Sequence, residues 1–257
     1  MHIGAKNSNL LQINGRNYYH ALNYDFKINI LQVINVLNVM QKISFIFLLL
    51  VLVSCAPSRI VKPLAKGEQA IGANLGGPLI NFGGLPIPIP YTSAFYAKGI
   101  SSKTTAFGSL HLTALAFGVF QTDIGLCTNV FYSPKFKLGM SANPAINFAI
   151  DKWEWKAKIW PQLDVNMYKN IGSKSFLYFG VSNWFEPSNT RAHGEGQNKN
   201  WFMNPQLGFQ YAPNKWTYGI ESKWVAPGVS NQPNVPDYMG PHHQGAIGVY
   251  FQIMRRF

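Results

Sequence analysis

From residue 69 to the end of the chain, apolar and polar residues alternate with a period of two over long stretches. This is the pattern of β-strands that have one apolar and one polar face. The alternation is clearest over 153–168, where odd positions are mostly apolar and even positions mostly polar. A soluble strand typically has about five or six residues, whereas a tilted membrane-spanning strand needs about nine to eleven. The segment is therefore long enough to cross a membrane.

Ten segments with this alternation predict ten strands. They lie near 69–79, 91–99, 103–114, 118–132, 138–150, 153–168, 174–185, 201–211, 215–225 and 244–257. An even number of strands returns the chain to the side on which it began, as single-chain bacterial barrels require. We therefore predict an all-β fold, a closed antiparallel transmembrane β-barrel of about ten strands over 69–257.

Connection lengths and aromatic residues agree with a barrel. The three long connections, 80–90, 186–200 and 226–243, would share one end, and short turns would occupy the other, as in outer-membrane barrels. Outward aromatic residues would form two girdles, made of Trp153, Trp155, Phe185, Trp201 and Trp224 at one rim and Tyr132, Tyr211, Trp216 and Phe257 at the other. The rival interpretation is a soluble β-sandwich with aromatic core residues.

Three prolines conflict with regular strands. Pro144, Pro161 and Pro205 lie inside predicted strands, and each removes a donor from the hydrogen-bond ladder. A closed barrel has no edge strand that could accept them. We expect either bulges at these positions or strand boundaries shifted by a few residues.

Composition supports a lipid-facing surface. Only 12% of residues are charged, against about 25% in an average soluble domain. Aromatic residues reach 14%. No run of about 18 apolar residues is present, so a transmembrane helix is not predicted.

A targeting signal precedes the strands. Lys42, the apolar run 43–53 and Ser54 have the layout of a secretory signal peptide, which we assign to 40–54. Leu52-Val53-Ser54-Cys55 resembles the lipobox of bacterial lipoproteins. The resemblance implies that Cys55 becomes the acylated mature N-terminus. Because basic residues and Pro63 follow it, we expect 55–68 to be a lipidated tether. Residues 1–39 place an Asn-rich stretch ahead of a complete signal peptide, so we expect them to be an upstream extension outside the fold, with Met40 as the true start.

The last strand carries a second resemblance. Ile247, Val249, Phe251 and Ile253 share one face, and Phe257 ends the chain. This is similar to the terminal strand that the assembly machinery of outer-membrane barrels recognises. Together with Ala56 after Cys55, it favours a lipid-anchored protein of the cell outer membrane whose N-terminus is periplasmic.

Charged residues on the polar faces would meet in the lumen. This predicted lumenal network comprises Asp123, Glu154, Lys156, Lys158, Glu221 and Lys223. About eight strands enclose a lumen that side chains just fill, and sixteen or more leave a channel. With ten strands, a compensated network that plugs the lumen is favoured over a narrow pore for small solutes.

A catalytic alternative rests on His111 and Asp123. A hairpin between their strands would place His111 opposite Gln121 and diagonal to Asp123, within side-chain reach. The pair is broadly similar to the acid and histidine arrangements of outer-membrane proteases and lipid-acyl hydrolases, although no specific motif of those enzymes is visible. His242 and His243 fit an exposed loop better than a metal site, so neither metal nor cofactor is predicted.

Basic residues gather at the predicted periplasmic side. They are Arg59, Lys62, Lys66, Lys98, Lys103, Lys135, Lys137, Lys169, Lys174, Lys215, Arg255 and Arg256. We expect outer-membrane lipid headgroups as their partner ahead of a periplasmic or outer-membrane protein, and we do not expect nucleic acid. The functions that stay open are a structural or accessory subunit of a membrane complex, a narrow pore, and a hydrolase.

Overall fold

The computed structural model describes residues 58–189, 196–197, 199–232 and 236–257. The predicted upstream extension 1–39, the signal peptide 40–54 and the acylated Cys55 lie outside the described residues. Lipidation and secretion therefore remain predictions. Among the described residues, no helix is long and apolar enough to span a bilayer.

The described chain forms eleven β-strands, a short helix and a single 3-10 turn. The strands are β1 (Gln69–Phe82), β2 (Leu85–Pro88), β3 (Thr92–Gly99), β4 (Thr104–His111), β5 (Val119–Ser133), β6 (Leu138–Asp151), β7 (Ala157–Ile171), β8 (Ser175–Phe185), β9 (Trp201–Tyr211), β10 (Trp216–Ser230) and β11 (Gln244–Arg256). Helix α1 (Leu112–Ala116) connects β4 to β5, and Pro241–His243 forms the 3-10 turn before β11.

Ten of these strands close into a barrel. Each strand from β3 to β11 pairs antiparallel with its sequence neighbour, β1 pairs with β3, and β11 returns to pair with β1. Strand β2 pairs only with 79–82, the part of β1 that lies beyond the ladders to β3 and β11. The predicted closed antiparallel barrel of about ten strands is confirmed, and the two packed sheets of a sandwich are not formed.

The two faces of the barrel wall are the reverse of a soluble protein. In β9, Trp201, Met203 and Leu207 are exposed on the outside, whereas Asn204 and Gln206 are buried in the lumen. Exposed apolar surface in water costs about 25 cal/mol per Å². A wall with apolar side chains outside and polar ones inside is therefore suited to lipid around it.

The two ends of the barrel differ as the connection lengths predict. The turns 100–103, 134–137, 172–174 and 212–215 lie together at what we call the short-turn end, which also holds the start of β1 and the end of β11. The described parts of the connections 186–200 and 231–243, helix α1 and the β1–β2 hairpin lie at the long-loop end.

Strand β7 begins later than the sequence predicts. Residues 152–155 form a turn, in which Trp155 has a positive φ of 55°. The carboxylate of Asp151 accepts hydrogen bonds from the backbone N–H groups of Trp153, Glu154 and Lys156. The alternation over 153–156 therefore belongs to a turn, and β7 starts at Ala157.

The three prolines are accommodated because each pairs with one neighbouring strand only. Pro144 pairs with β7 and lies in a gap of the β5–β6 ladder. Pro161 pairs with β6 and lies one residue beyond Gln162, where the β7–β8 ladder ends. Pro205 pairs with β8 and lies one residue beyond Gln206, where the β9–β10 ladder ends. Each missing donor thus coincides with a missing ladder bond.

Residues 58–64 do not form the tether that the sequence suggested. Ser58, Arg59, Ile60, Val61 and Leu64 are buried against side chains of the inner wall of the barrel. We call residues 58–64 the plug segment. Arg59 is consequently a lumenal residue. Its predicted place among the basic residues at the periplasmic side is wrong.

Candidate functional site: the occupied lumen

The wall of the barrel binds the backbone of the plug segment through polar side chains. Gln252 Nε2 donates to the carbonyl oxygens of Ser58 and Arg59, at 3.1 and 2.9 Å. Asn143 Nδ2 donates to the carbonyl of Ile60 at 2.8 Å, and Ser141 Oγ to that of Val61 at 2.7 Å. These bonds satisfy backbone groups that would otherwise be buried without partners, which is costly.

Both ends of the plug segment are fixed in the same way. At its N-terminal end, the N–H of Ser58 lies 3.3 Å from each carboxylate oxygen of Glu221, and Gln206 Nε2 donates to Ser58 Oγ at 3.0 Å. At its C-terminal end, the N–H of Leu64 donates to Thr105 Oγ1 at 2.7 Å. The segment is therefore held along its length by wall strands on different sides of the lumen.

Apolar side chains of the plug segment fill the remaining space. Ile60 and Leu64 belong to a buried cluster with Phe95, Phe107 and Met254. A second cluster combines Val61 with the aromatic side chains Tyr168, Phe176 and Tyr178. The half of the lumen nearer the short-turn end thus has an apolar core, and the plug segment supplies part of it.

Arg59 organises a buried polar cluster on β4 and β5. Its Nη2 forms an ion pair with Asp123 Oδ2, and its Nε donates to Ser109 Oγ at 3.1 Å. Ser109 and Asp123 are register partners, and Ser109 Oγ also donates to Asp123 Oδ2. We call Arg59, Ser109, His111 and Asp123 the Arg59 cluster. All four are at most 7% exposed, so water does not screen the ion pair.

His111 meets Asp123 as the hairpin geometry predicts. Its Nε2 lies 3.0 Å from Asp123 Oδ2 and 3.1 Å from Arg59 Nη2. Unprotonated Nε2 can accept from Arg59, and protonated Nε2 can donate to Asp123, but one nitrogen cannot do both at once. The same imidazole atom therefore faces a donor and an acceptor.

The Arg59 cluster lacks the geometry of an activated nucleophile. A serine nucleophile needs its hydroxyl hydrogen-bonded to the base. Here Ser109 Oγ donates to Asp123 instead, and Arg59 fills the space beside His111. The prediction that His111 and Asp123 are catalytic remains a hypothesis, in which Arg59 would have to leave before a substrate could enter.

A second polar cluster lies around Glu221 on β10. Lys223 Nζ lies 3.5 Å from Glu221 Oε1, and the Tyr178 hydroxyl donates to Glu221 Oε2 at 2.8 Å. Glu221 and Lys223 were predicted to be lumenal, and both are at most 3% exposed. Together with the N–H of Ser58, these groups surround the Glu221 carboxylate.

Three members of the predicted lumenal network lie elsewhere. Glu154 and Lys156 form an exposed ion pair in the turn after β6, because β7 begins after them. Their predicted place in the lumen is wrong. Lys158 forms an ion pair with Glu186 at the long-loop end, where the lysine is half-exposed and the carboxylate is buried.

Sequence reasoning missed the residues that hold the plug segment. Arg59 had been assigned to a tether, and Gln252, Gln206 and Asn143 were polar positions with no charge to mark them. What Gln252, Gln206 and Asn143 share is an amide side chain that faces the lumen of a barrel of only ten strands. Such amides need partners when buried, and a peptide backbone supplies both donors and acceptors.

A small cavity remains beside the plug segment. It has about 20 Å³ available to water and is lined by Arg59, Phe107, Asp123, Asn143, Ala145, Gln162 and Asp164. Asp123 Oδ1 and Asn143 Oδ1 have no hydrogen-bond partner among the residues that the structure describes. The volume suits about one water molecule, which could bond to these oxygens. Among the described residues, no three His, Cys, Asp or Glu side chains are placed to hold a metal ion.

Comparison with known proteins finds matches among solved structures but none among families or curated proteins. No protein-family model matches the sequence, and no curated protein matches it. Solved structures that match include the translocator domain of the autotransporter NalP from Neisseria meningitidis, at 8% identity and a TM-score of 0.41, over 76% of this chain and 90% of that one.

Two further matches come from Pseudomonas. The outer membrane protein OprG of Pseudomonas aeruginosa has 10% identity and a TM-score of 0.27, over 77% of this chain and 99% of that one. The toluene transporter TodX of P. putida has 8% identity and a TM-score of 0.32, over 75% of this chain and 89% of that one. At these identities and TM-scores, the activities of those proteins carry no implication for this chain.

Proposed function

We propose that this protein is an outer-membrane barrel whose lumen is closed at rest by its own plug segment, and that it serves as a structural or accessory subunit of a membrane complex. The observation that carries the proposal is the binding of residues 58–64 inside the barrel. An occupied lumen offers no path for solute flow, which leaves the outer surface and the ends of the barrel for function.

The proposed orientation places the short-turn end in the periplasm. Bacterial outer-membrane barrels have short periplasmic turns and longer external loops. The long-loop end then faces outward. If Cys55 is acylated, the lipid would be a second membrane attachment beside the barrel wall.

An apolar projection at the long-loop end supports a role in assembly. The hairpin formed by 79–82 of β1 and by β2 lies beyond the ladders to the neighbouring strands. Phe82 is 68% exposed and Leu85 is 66% exposed. Contiguous exposed apolar side chains of this kind mark interaction sites in many proteins.

A second candidate function is a gated pore. Its support is the polarity of the wall around the plug segment, where Asn74, Asn143, Gln206, Gln210 and Gln252 are all buried and face the lumen. Such a wall would hold water if the plug segment left. The hydrolase alternative has weaker support because Ser109 is bonded away from His111.

Two measurements test the proposal. Full-length protein in planar bilayers should give no steady conductance, and a steady open conductance would overturn the closed state. Affinity purification from native membranes after cross-linking should recover a larger complex; recovery of the barrel alone would overturn the accessory role. An Arg59→Glu variant that conducts, beside a silent Lys66→Ala control outside the plug segment, would favour the gated pore.

A further inference from the structure

Basic side chains form a ring around the short-turn end. Those that are exposed are Lys62, Lys66, Lys98, Lys103, Lys135, Lys137, Lys169, Lys174, Lys215 and Arg255, and Arg256 is half-buried beside them. We call these residues the basic collar. All four short turns, or the strand residues next to them, contribute to it, so the charge surrounds the whole circumference of the barrel.

The basic collar is almost free of acidic partners. Within the described part of the chain, the one acidic side chain at this end is Glu68, which lies 3.5 Å from Arg256. The other basic side chains of the collar have no carboxylate within ion-pair distance among the described residues. Their repulsion is unfavourable unless anions from outside the chain neutralise it.

The opposite end carries a balanced charge. Its described acids are Asp151, Glu154, Glu186 and Asp237, and its described lysines are Lys152, Lys156, Lys158 and Lys199. Lys156 and Lys158 form ion pairs, Lys152 lies over the ring of Trp153, and Lys199 donates to a backbone carbonyl. Among the described residues, the excess of positive charge therefore lies at the short-turn end.

Aromatic side chains place the basic collar at the depth of lipid headgroups. Lys135 Nζ lies 5.5 Å from the ring centre of Phe136, and the Arg255 guanidinium 5.7 Å from that of Trp216. Membrane barrels carry a girdle of exposed aromatic residues at each interface between hydrocarbon and headgroups. Basic groups stacked on them reach the layer that contains phosphates.

The mouth of the barrel adds a concentrated part of the same charge. The side chain of Lys62 extends from the plug segment towards this mouth, and its Nζ donates to Asn170 Oδ1 at 3.3 Å. Partial burial and the nearby positive charge of Arg256 hold the pKa of Lys62 below its usual range. An anion at this mouth would offset both effects.

We propose that the basic collar binds the headgroups of anionic phospholipids in the membrane leaflet at the short-turn end, and thereby fixes the depth of the barrel. A lipid leaflet surrounds a barrel on all sides, as the collar does. A docked protein would need a patch on one side only. The inference does not depend on whether the lumen is a closed structural element or a gated pore.

The test compares lipid retention by wild-type protein and two fourfold variants. One variant carries Lys98→Gln, Lys135→Gln, Lys169→Gln and Lys215→Gln in the collar. The matched control carries Lys152→Gln, Lys156→Gln, Lys158→Gln and Lys199→Gln at the long-loop end. Each full chain is reconstituted with phosphatidylcholine and phosphatidylglycerol, extracted in mild detergent, and analysed for bound lipid by native mass spectrometry.

Wild type and control should retain phosphatidylglycerol in preference to phosphatidylcholine. The collar variant should bind it at least roughly tenfold more weakly, because several charges act on the same anionic surface. Equal retention of the two lipids by the wild type would overturn the proposal. Unchanged phosphatidylglycerol retention by the collar variant would also overturn it.

A second measurement keeps the inference testable if the collar variant does not fold. For wild-type protein, added salt should release phosphatidylglycerol, because exposed charges are screened over about 10 Å at 0.1 M ionic strength. Retention of phosphatidylglycerol that is insensitive to salt would contradict a headgroup interaction. Heat-dependent gel migration reports whether each variant has formed the closed barrel.

Discussion

Arg59 and Asp123 form a buried ion pair that joins the plug segment to strand β5. Ser109 and His111 lie against the same carboxylate oxygen. Breaking a buried pair by removing one partner is strongly destabilising, because it leaves an uncompensated charge out of water. Removal of either partner should therefore be strongly destabilising.

Removal of the guanidinium should release the plug segment. Arg59→Ala leaves the Asp123 carboxylate without its cation, at a cost of about 3–5 kcal/mol. We expect Ser58→Cys to be protected from a water-soluble maleimide in the wild-type background and labelled in the Arg59→Ala background. Lys66→Ala is the control, because its side chain is exposed and lies outside the plug segment. Equal labelling in all backgrounds would contradict a stably bound plug segment.

A double substitution should separate the ion pair from other effects. Asp123→Asn alone leaves Arg59 without its carboxylate, whereas Arg59→Met with Asp123→Asn removes both charges. We expect the double variant to lose less stability than the sum of the single variants, since residues in contact are coupled by about 0.5–3 kcal/mol. The temperature at which gel migration shifts measures this, and additive losses would mean that the two side chains do not interact.

The tyrosine rings of the lumen lie on glycines of the neighbouring strands. A methyl group on Gly208 would overlap the ring of Tyr178, whose hydroxyl binds Glu221. Gly208→Ala should therefore cost about 1–3 kcal/mol through overpacking. Gly219→Ala is the control at a strand glycine with more room, because the added methyl carbon would lie 3.3 Å from its nearest atom, Gln210 Cγ. Equal barrel stability of the two variants would argue against the packing of Tyr178 on Gly208.

The free thiol of Cys127 should be inert in the folded barrel. Its side chain is 0% exposed and belongs to the cluster that includes Ile60 and Leu64. Maleimide should label Cys127 only after boiling in detergent has opened the barrel. Labelling of Cys127 itself in the folded wild-type protein, located by peptide mass spectrometry, would show that the lumen around it opens readily.

Sequence periodicity predicted the barrel because each strand faces lipid on one side and polar groups on the other. The register between β4 and β5 followed from one hairpin, so the proximity of His111 and Asp123 could also be predicted. The start of β7 could not, since the turn 152–155 continues the alternation of apolar and polar residues that the strand shows. Asp151 decides the outcome through its bonds to three amides.

The plug segment was missed for a different physical reason. Residues 58–64 are too few to show a period, and a Lys- and Pro-containing stretch also suits a linker. What holds the segment is spread over strands that are distant in the chain: Gln252 is 194 residues from Ser58, and Asn143 is 83 residues from Ile60. Such contacts form only when the barrel closes, so no local sequence pattern predicts them.

Covalent attachment to β1 alters the equilibrium of the plug segment. Only residues 65–68 separate it from the first strand. A segment on so short a connection experiences an effective concentration on the order of millimolar or above at its own site. Individually weak contacts therefore suffice to keep the barrel filled, and dilution of the protein does not empty it. A free peptide would have to exceed that local concentration to take the place of the segment.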